Sequence, residues 1–140
     1  MKKDLSPSLE DYLEAILQLE TKNKVARVKE IAEALNVQMP SVSGALKTLK
    51  SKGLIIYEKN SYIVLSAKGL EIARSVQNKH SILTGFLEEI LLLPKSIAED
   101  QACKIEHIIS RETSLRIQRL GEVLKKSHTP EDLKNLLDPE

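Results

Sequence analysis

Residues 28–65 read VKEIAEALNVQMPSVSGALKTLKSKGLIIYEKNSYIVL, and two different periodicities meet within this stretch. As far as Gly53, apolar residues recur every three or four positions, which is typical of amphipathic helices. Asn36 is a helix-stop candidate, and Pro40 stands where a first helical turn tolerates proline. After Gly53, LIIYEK (54–59) and YIVL (62–65) are short β-prone runs. The stretch therefore predicts two helices followed by a hairpin.

The flanking sequence adds helices on both sides. An apolar stripe after Pro7, with Ser8 as a plausible N-cap, predicts a first helix that ends near Glu20. After the hairpin, SAKG (66–69) returns the chain to a helix that extends to about Leu92, and Pro94 breaks it. Further helical segments are predicted at about 96–109, 112–126 and 130–137. The fold class is mainly α, with an N-terminal winged helix-turn-helix domain at 1–74 and a helical domain at 75–140.

The second helix of this motif is the predicted recognition helix, because a helix-turn-helix presents its second helix to the major groove. Its sequence, MPSVSGALKTLKSKG, has small polar residues at the start and lysines toward the end. Side chains that could face DNA are Gln38, Ser41, Ser43 and Lys47, and the hairpin offers Lys59 to a phosphate. Short serines near a helix start are also ordinary caps, so this alternative stays open.

Charge is unevenly distributed although the net charge of the 140 residues is only +1. Residues 38–79 carry seven basic and two acidic side chains, a net of +5, whereas both flanks are acidic. A basic middle suits a polyanion site, and a solvated lysine face is the plain alternative. The single cysteine suits a reducing cytoplasm. Because no signal-peptide h-region and no apolar run of roughly 18 residues is present, we expect a cytoplasmic protein without a membrane partner.

Three polar groupings outside the recognition helix involve residue types that bind metals. Asp11 and Glu14 are three apart on the first helix, His80 lies in the long helix after the hairpin, and one later helical face carries Glu99, Cys103, Glu106 and His107. Each grouping has an ordinary explanation: acids favour a helix N-terminus, and a lone cysteine is most often a small core hydrophobe. Together, carboxylates, imidazoles and a thiol are ligands of a first-row transition ion.

These segments resemble, in order, the diphtheria-toxin repressor and manganese-transport-regulator family. The resemblance is carried by SLEDYLEAI, ARVKEIAEAL, SVSGALKTLKSKGLI, the LSAKG exit from the hairpin, NKHSIL and CKIEHIIS, and covers roughly residues 6 to 126. It implies a repressor with Mn²⁺ or Fe²⁺ as co-repressor. It further implies a homodimer formed through C-terminal helices and a palindromic double-stranded DNA operator near metal-uptake genes.

The same resemblance assigns metal-ligand and DNA-facing positions to individual residues. It places five family ligands at Asp11, Glu14, His80, Glu106 and His107. Cys103 falls at a further ligand position that the family fills with Cys or Glu, and Glu99 at an ancillary-site position. At DNA-facing positions it places Gln38, Pro40, Ser41 and Ser43.

Two departures from the family pattern concern the ancillary site and the metal. Thr84 replaces a carboxylate that some iron-responsive members use, and the chain ends before their SH3-like domain, so we expect the short form. Asp11 matches the manganese branch, whereas Cys103 matches the iron branch. Carboxylates suit Mn²⁺ and a thiolate favours later ions, so Mn²⁺ is the first expectation and Fe²⁺ the alternative. Whether Cys103 binds through its thiolate or its carbonyl stays open.

Two other functions compete with this interpretation. One is a winged-helix regulator that responds to an organic ligand or to none, with the polar cluster incidental. The other is a metal-dependent enzyme. The sequence lacks His-Glu-x-x-His, has Glu106 adjacent to His107 rather than in a Glu-x-x-His pair, and contains no Gly-rich phosphate loop. We therefore expect no enzymatic activity.

Overall fold

The computed structural model describes residues 5–23, 25–58 and 61–138. Lys59, the predicted phosphate contact of the wing, lies outside these residues. In chain order, the helices are α1 Pro7–Asn23, α2 Val28–Leu35, α3 Met39–Ser51, α4 Ala67–Gly85, α5 Lys95–Ile105, α6 Arg111–Ser127 and α7 Pro130–Leu137. Strands β1 Ile55–Ile56 and β2 Val64–Leu65 lie between α3 and α4, and a π-helical turn, Phe86–Ile90, extends α4.

The predicted winged helix-turn-helix followed by a helical domain is confirmed. Asn36 ends α2 in the left-handed region (φ 54°), and its backbone N–H donates to the carbonyl of Glu33. Pro40 lies in the first turn of α3, and Gly53 follows that helix with φ 71°. Ser6, not the expected Ser8, caps α1, because the helix already begins at Pro7 and the Ser6 hydroxyl accepts from the backbone N–H of Leu9.

The wing is a short antiparallel ladder that pairs Ile55 with Leu65. Ala26, before α2, adds an isolated bridge to Ile63, whose N–H donates to the Ala26 carbonyl at 2.8 Å. The Glu20 carboxylate of α1 accepts from the backbone N–H of Leu65 at 2.8 Å, so α1 holds the returning strand. These bonds position the wing beside the helices.

The chain divides into two compact units, Met1–Ser75 and Val76–Glu140. In the first unit, α1, α2, α3 and the wing share one apolar core, which at its centre contains Leu13, Ile16, Ile31, Val42, Leu46, Leu49 and Ile63. Because the second helix and third helix each bury only one stripe, the opposite face of α3 remains exposed.

The second unit packs α5, α6 and the π-helical turn around Leu83, Leu87, Ala98 and Ala102. Helix α6 approaches the π-helical turn closely at Gly121, where an added Cβ would lie 3.3 Å from the ring of Phe86. Thr129 and Asp132 form a capping box at the start of α7. Hydrogen bonds from Thr129 lower the pKa of the Asp132 carboxyl. In the described residues, no helix has the length and apolarity needed to cross a membrane.

Candidate metal centre and nucleic-acid interface

A buried carboxylate, that of Glu106, lies between two histidines of the second unit. Its Oε2 is 2.7 Å from Nδ1 of His80, which lies on α4. Its Oε1 is 3.6 Å from Nε2 of His107, the next residue in the chain. The Glu106 side chain is fully buried, whereas the His80 side chain is 31% exposed. Three of the residues predicted as ligands therefore meet within one unit.

The backbone around this cluster differs from the predicted helix over 96–109. Helix α5 ends at Ile105, and Glu106 is its C-cap with helical angles (φ −57°, ψ −25°). The backbone N–H groups of Ile108 and Ile109 both donate to the carbonyl of Ile105, which closes a turn. Since Glu106 keeps helical angles, it continues the path of α5, and the turn then redirects the chain toward α6.

Cys103 and Glu99 lie on α5, one and two turns before His107. Both residues are exposed. The alternative in which Cys103 is a small core hydrophobe is therefore wrong.

The first unit carries the other two predicted ligands, Asp11 and Glu14, on α1, and both are partly exposed. The acidic residue in the first turn of this helix is Glu10, because α1 begins at Pro7. Stabilisation of the helix N-terminus therefore accounts poorly for Asp11 and not at all for Glu14, since the effect fades beyond the first turn.

One residue of this region was missed by the sequence analysis. Lys79, next to His80 on α4, donates from Nζ to the carbonyl of Ile109 at 3.1 Å. Adjacent residues of α4 thus hold both ends of the segment 106–109, one through the Glu106 side chain and one through the backbone. In the sequence, Lys79 contributed only to the count of positive charges. No sequence pattern predicts a hydrogen bond from its side chain to a backbone carbonyl thirty positions away.

The exposed face of α3 has the composition expected of a DNA-reading surface. Its apolar stripe, Val42, Leu46 and Leu49, is buried in the core. All five predicted DNA-facing residues that the structure describes are exposed: Gln38, Pro40, Ser41, Ser43 and Lys47. The cap alternative for the serines is wrong, because the N-cap of α3 is Gln38 and both serines lie inside the helix.

A winged helix with a polar, exposed recognition helix, followed by a helical unit with a carboxylate–imidazole cluster, defines a class: DNA-binding proteins that also bind metals. The donor set fits a divalent first-row ion, since Mn²⁺ and Fe²⁺ take carboxylate and imidazole ligands. Comparisons with known families specify this class further. Residues 4–62 match the N-terminal DNA binding domain of iron dependent repressors. Residues 66–133 match the metal binding and dimerisation domain of the same repressors.

The chain belongs to the iron dependent repressor family, the metal-dependent transcriptional repressors that include the diphtheria-toxin repressor and manganese transport regulator. It is 36% identical over 122 residues to an uncharacterized HTH-type transcriptional regulator of Methanocaldococcus jannaschii, covering 86% of this chain and 98% of that protein. It is 35% identical over 141 residues to the HTH-type transcriptional regulator MntR of Shouchella clausii, covering 91% and 98%.

Solved structures give the same fold. The manganese regulator SloR superposes with a TM-score of 0.73 at 29% identity, over 83% of this chain and 54% of that chain. The metal-dependent transcriptional regulator MtsR superposes with a TM-score of 0.75 at 27% identity, also over 83% and 54%. This chain thus spans about half the length of these solved chains, whereas it spans nearly all of the two relatives compared by sequence.

Proposed function

We propose that this chain represses metal-homeostasis genes as a cytoplasmic homodimer that binds a palindromic DNA operator when it carries Mn²⁺, with Fe²⁺ as the alternative co-repressor. The observation that carries the proposal is Glu106, a buried carboxylate bonded to His80 in a unit that matches a metal binding domain. The likeness to the manganese regulator SloR favours Mn²⁺. Transcriptional regulation without catalysis is the role that the family supports.

The proposed ligand set extends the observed cluster by the residues that the family resemblance assigns. His80, Glu106 and His107 would hold the ion together with Cys103, and Asp11 and Glu14 of α1 would complete the set, with Glu99 as an ancillary ligand. A bound divalent ion supplies positive charge that offsets the repulsion among these carboxylates. Occupancy would favour the state of the protein that binds DNA, so the bound ion would shift the population toward that state.

DNA contact is assigned to the exposed face of α3 and to the wing. Gln38, Pro40, Ser41 and Ser43 would face base edges and backbone in the major groove, and Lys47 and Lys59 would contact phosphates. The support is the exposure of the α3 residues and the net charge of +5 over residues 38–79. A regulator that binds an organic ligand instead of a metal is the competing function.

A titration of duplex binding at one fixed salt concentration tests this function. A duplex is first selected from a random pool in the presence of Mn²⁺, and its affinity is then measured with Mn²⁺, Fe²⁺, Co²⁺, Zn²⁺ or chelator. We expect Mn²⁺ to raise the affinity about 5- to 150-fold, which is the usual range of coupling between two ligands. Salt must stay fixed because phosphate contacts make affinity fall steeply with salt. Equal affinity with every ion and with chelator would favour the organic-ligand regulator.

Lys79→Met is expected to weaken metal binding without removing any proposed ligand. The variant keeps the aliphatic stem but cannot donate to the carbonyl of Ile109, so the turn that carries Glu106 and His107 is less restrained. Loss of a partner bonded directly to a ligand lowers metal affinity by roughly 10- to 100-fold, so for this bond, which restrains only the backbone after His107, we expect a loss of up to about 10-fold. The measurement is an anaerobic calorimetric titration with Mn²⁺.

The matched control for Lys79→Met is Lys104→Met. Lys104 forms an exposed i,i+4 pair with Asp100 on α5, and such surface pairs contribute little. The control removes the same charge from the same unit, so its Mn²⁺ affinity should stay close to that of the unaltered protein. Equal affinities for the Lys79 variant and this control would show that the bond to Ile109 does not support the metal centre.

A further inference from the structure

One edge of the wing is completed by a side chain of α1. The backbone N–H of Ile63 donates to the carbonyl of Ala26 at 2.8 Å. The backbone N–H of Leu65 donates to a carboxylate oxygen of Glu20, also at 2.8 Å. Because N–H groups two residues apart point to the same edge of a strand, both bonds lie on one edge of the wing. The Glu20 carboxylate therefore occupies an edge that a further strand would otherwise pair.

Glu20 supplies a directional contact that the apolar core does not. Strands β1 and β2 are two residues long each, and a two-stranded hairpin is at best marginally stable by itself. Ile63 and Leu65 are buried in the core, but hydrophobic burial is non-directional. A hydrogen bond to a charged acceptor is directional and roughly twice as strong as a neutral one. The direction in which the wing leaves the core therefore depends on the bond to Glu20.

Helix α1 joins this bond to the proposed metal ligands Asp11 and Glu14. The helix is uninterrupted from Pro7 to Asn23, so Glu20 lies about 9 Å beyond Glu14 along the helix axis. Its buried face packs into the same apolar core as the wing. Rigid secondary-structure elements of this kind carry coupling between distant groups. A restraint on the carboxylates of Asp11 and Glu14 therefore reaches Glu20 through the helix itself.

We propose that Glu20 is a positioning residue that couples metal binding to the wing. Asp11 and Glu14, when they hold an ion, restrain α1, and the Glu20 carboxylate passes this restraint to the backbone of Leu65. The wing then keeps the direction that suits DNA, whereas without metal α1 and the wing fluctuate together. The inference rests on the proposed function, because it requires Asp11 and Glu14 as ligands and the wing as a DNA contact. It adds a route from metal to DNA that lies within the first unit.

Glu20→Met is the first test, made in the full chain. Methionine keeps the length of the side chain but offers only a weak acceptor to the N–H of Leu65. Affinity for the duplex selected from a random pool is measured at one salt concentration with saturating Mn²⁺ and with chelator, and the ratio of the two affinities is the coupling. We expect this ratio to fall by about 3- to 10-fold, as for the loss of one hydrogen bond. Mn²⁺ affinity in the absence of DNA should stay close to that of the unaltered protein.

Two further substitutions serve as controls. Glu20→Gln keeps an oxygen that accepts from the N–H of Leu65, so its coupling should stay near that of the unaltered protein. Glu33→Met removes an exposed carboxylate from α2 of the same unit and should also leave the coupling unchanged. Thermal unfolding confirms that each variant is folded at the temperature of the titration.

Amide hydrogen exchange at Leu65, measured without DNA, reports on the wing directly. Mn²⁺ should slow this exchange in the unaltered protein and in Glu20→Gln, because the bond to residue 20 is then restrained. In Glu20→Met, the exchange rate at Leu65 should be the same with and without Mn²⁺.

Three results would overturn the inference. If Glu20→Met weakens duplex binding equally with Mn²⁺ and with chelator, the bond has only a structural role. If Glu20→Gln lowers the coupling as much as Glu20→Met, the charge of Glu20 acts rather than its bond to Leu65. The third is an exchange rate at Leu65 that is the same with and without Mn²⁺ in the unaltered protein. Failure of the proposed function is distinct, because then the unaltered protein itself would show no Mn²⁺-dependent duplex binding.

Discussion

Replacing Glu106 with glutamine is expected to raise the Mn²⁺ concentration needed for operator binding by about 100-fold or more while the fold is retained. Glutamine keeps the size of the side chain and a hydrogen bond to Nδ1 of His80, but it removes the negative charge that the carboxylate would offer to a divalent ion. Loss of an outer supporting residue already costs roughly 10- to 100-fold in metal affinity, so loss of a ligand should cost at least the upper end of that range. The measurement is operator affinity at fixed salt across a Mn²⁺ titration.

The matched control for Glu106→Gln is Glu112→Gln in the same unit. Glu112 is an exposed residue of α6 that pairs with Arg116 at 3.0 Å, so its substitution makes the same chemical change away from the cluster. Exposed pairs of this kind contribute about 0–1 kcal/mol. The control should therefore keep the Mn²⁺ response of the unaltered protein. A Glu106 variant with the same Mn²⁺ response as this control would exclude Glu106 as a ligand.

Replacing Gly69 with alanine is expected to destabilise the winged-helix unit by about 3 kcal/mol or more. Gly69 lies in the first turn of α4, where an added Cβ would stand 2.0 Å from the backbone oxygen of Leu54. That oxygen accepts from the backbone N–H of Ser66, and the Ser66 hydroxyl in turn accepts from the N–H of Gly69. A methyl group must therefore displace backbone that joins α3, the wing and α4.

Gly44→Ala is the matched control for Gly69→Ala. No atom lies within 4 Å of a Cβ added at Gly44, which is exposed in the middle of α3. Alanine in a helix interior is more favourable than glycine by roughly 0.5–1 kcal/mol, so this control should raise the thermal unfolding temperature. Circular dichroism during heating measures both variants. A Gly69 variant that unfolds at the same temperature as the unaltered protein would contradict the close approach of α4 to Leu54.

The winged helix could be predicted from the sequence because its signals are local. The apolar stripes of α2 and α3 repeat at helical spacing, and Asn36 and Gly53 end the helices through left-handed backbone conformations. The polar faces of both helices follow from the same stripes. The exposure of Gln38, Ser41, Ser43 and Lys47 could therefore be predicted without tertiary information.

The ends of the helices in the second unit could not be predicted from the sequence, because they depend on contacts between distant residues. The apolar pattern of α5 continues through Ile108 and Ile109, so periodicity could not reveal that the helix ends at Ile105. The long helix changes to a π-helical turn after Gly85, nine residues before the proline that was expected to end it. A helix end set by packing leaves no local sequence mark.

The bridge between Ala26 and Ile63 was missed for a related reason, because it joins residues 37 positions apart. The candidate ligands were recognised because a family resemblance supplied what spacing alone left open.

Coupling between metal and operator must be reciprocal if both bind the same state of the protein. A factor by which Mn²⁺ raises operator affinity must equal the factor by which operator raises Mn²⁺ affinity. The Lys79 and Glu106 variants should both weaken metal binding, so each should need more Mn²⁺ to reach the same operator affinity.

The most direct test of the central claim is the affinity of the unaltered protein for its selected duplex, measured at one salt concentration with saturating Mn²⁺ and again with chelator. The metal centre proposed at His80, Glu106 and His107 predicts binding that is about 5- to 150-fold tighter with Mn²⁺. The same affinity under both conditions would contradict the claim that metal occupancy controls DNA binding by this protein.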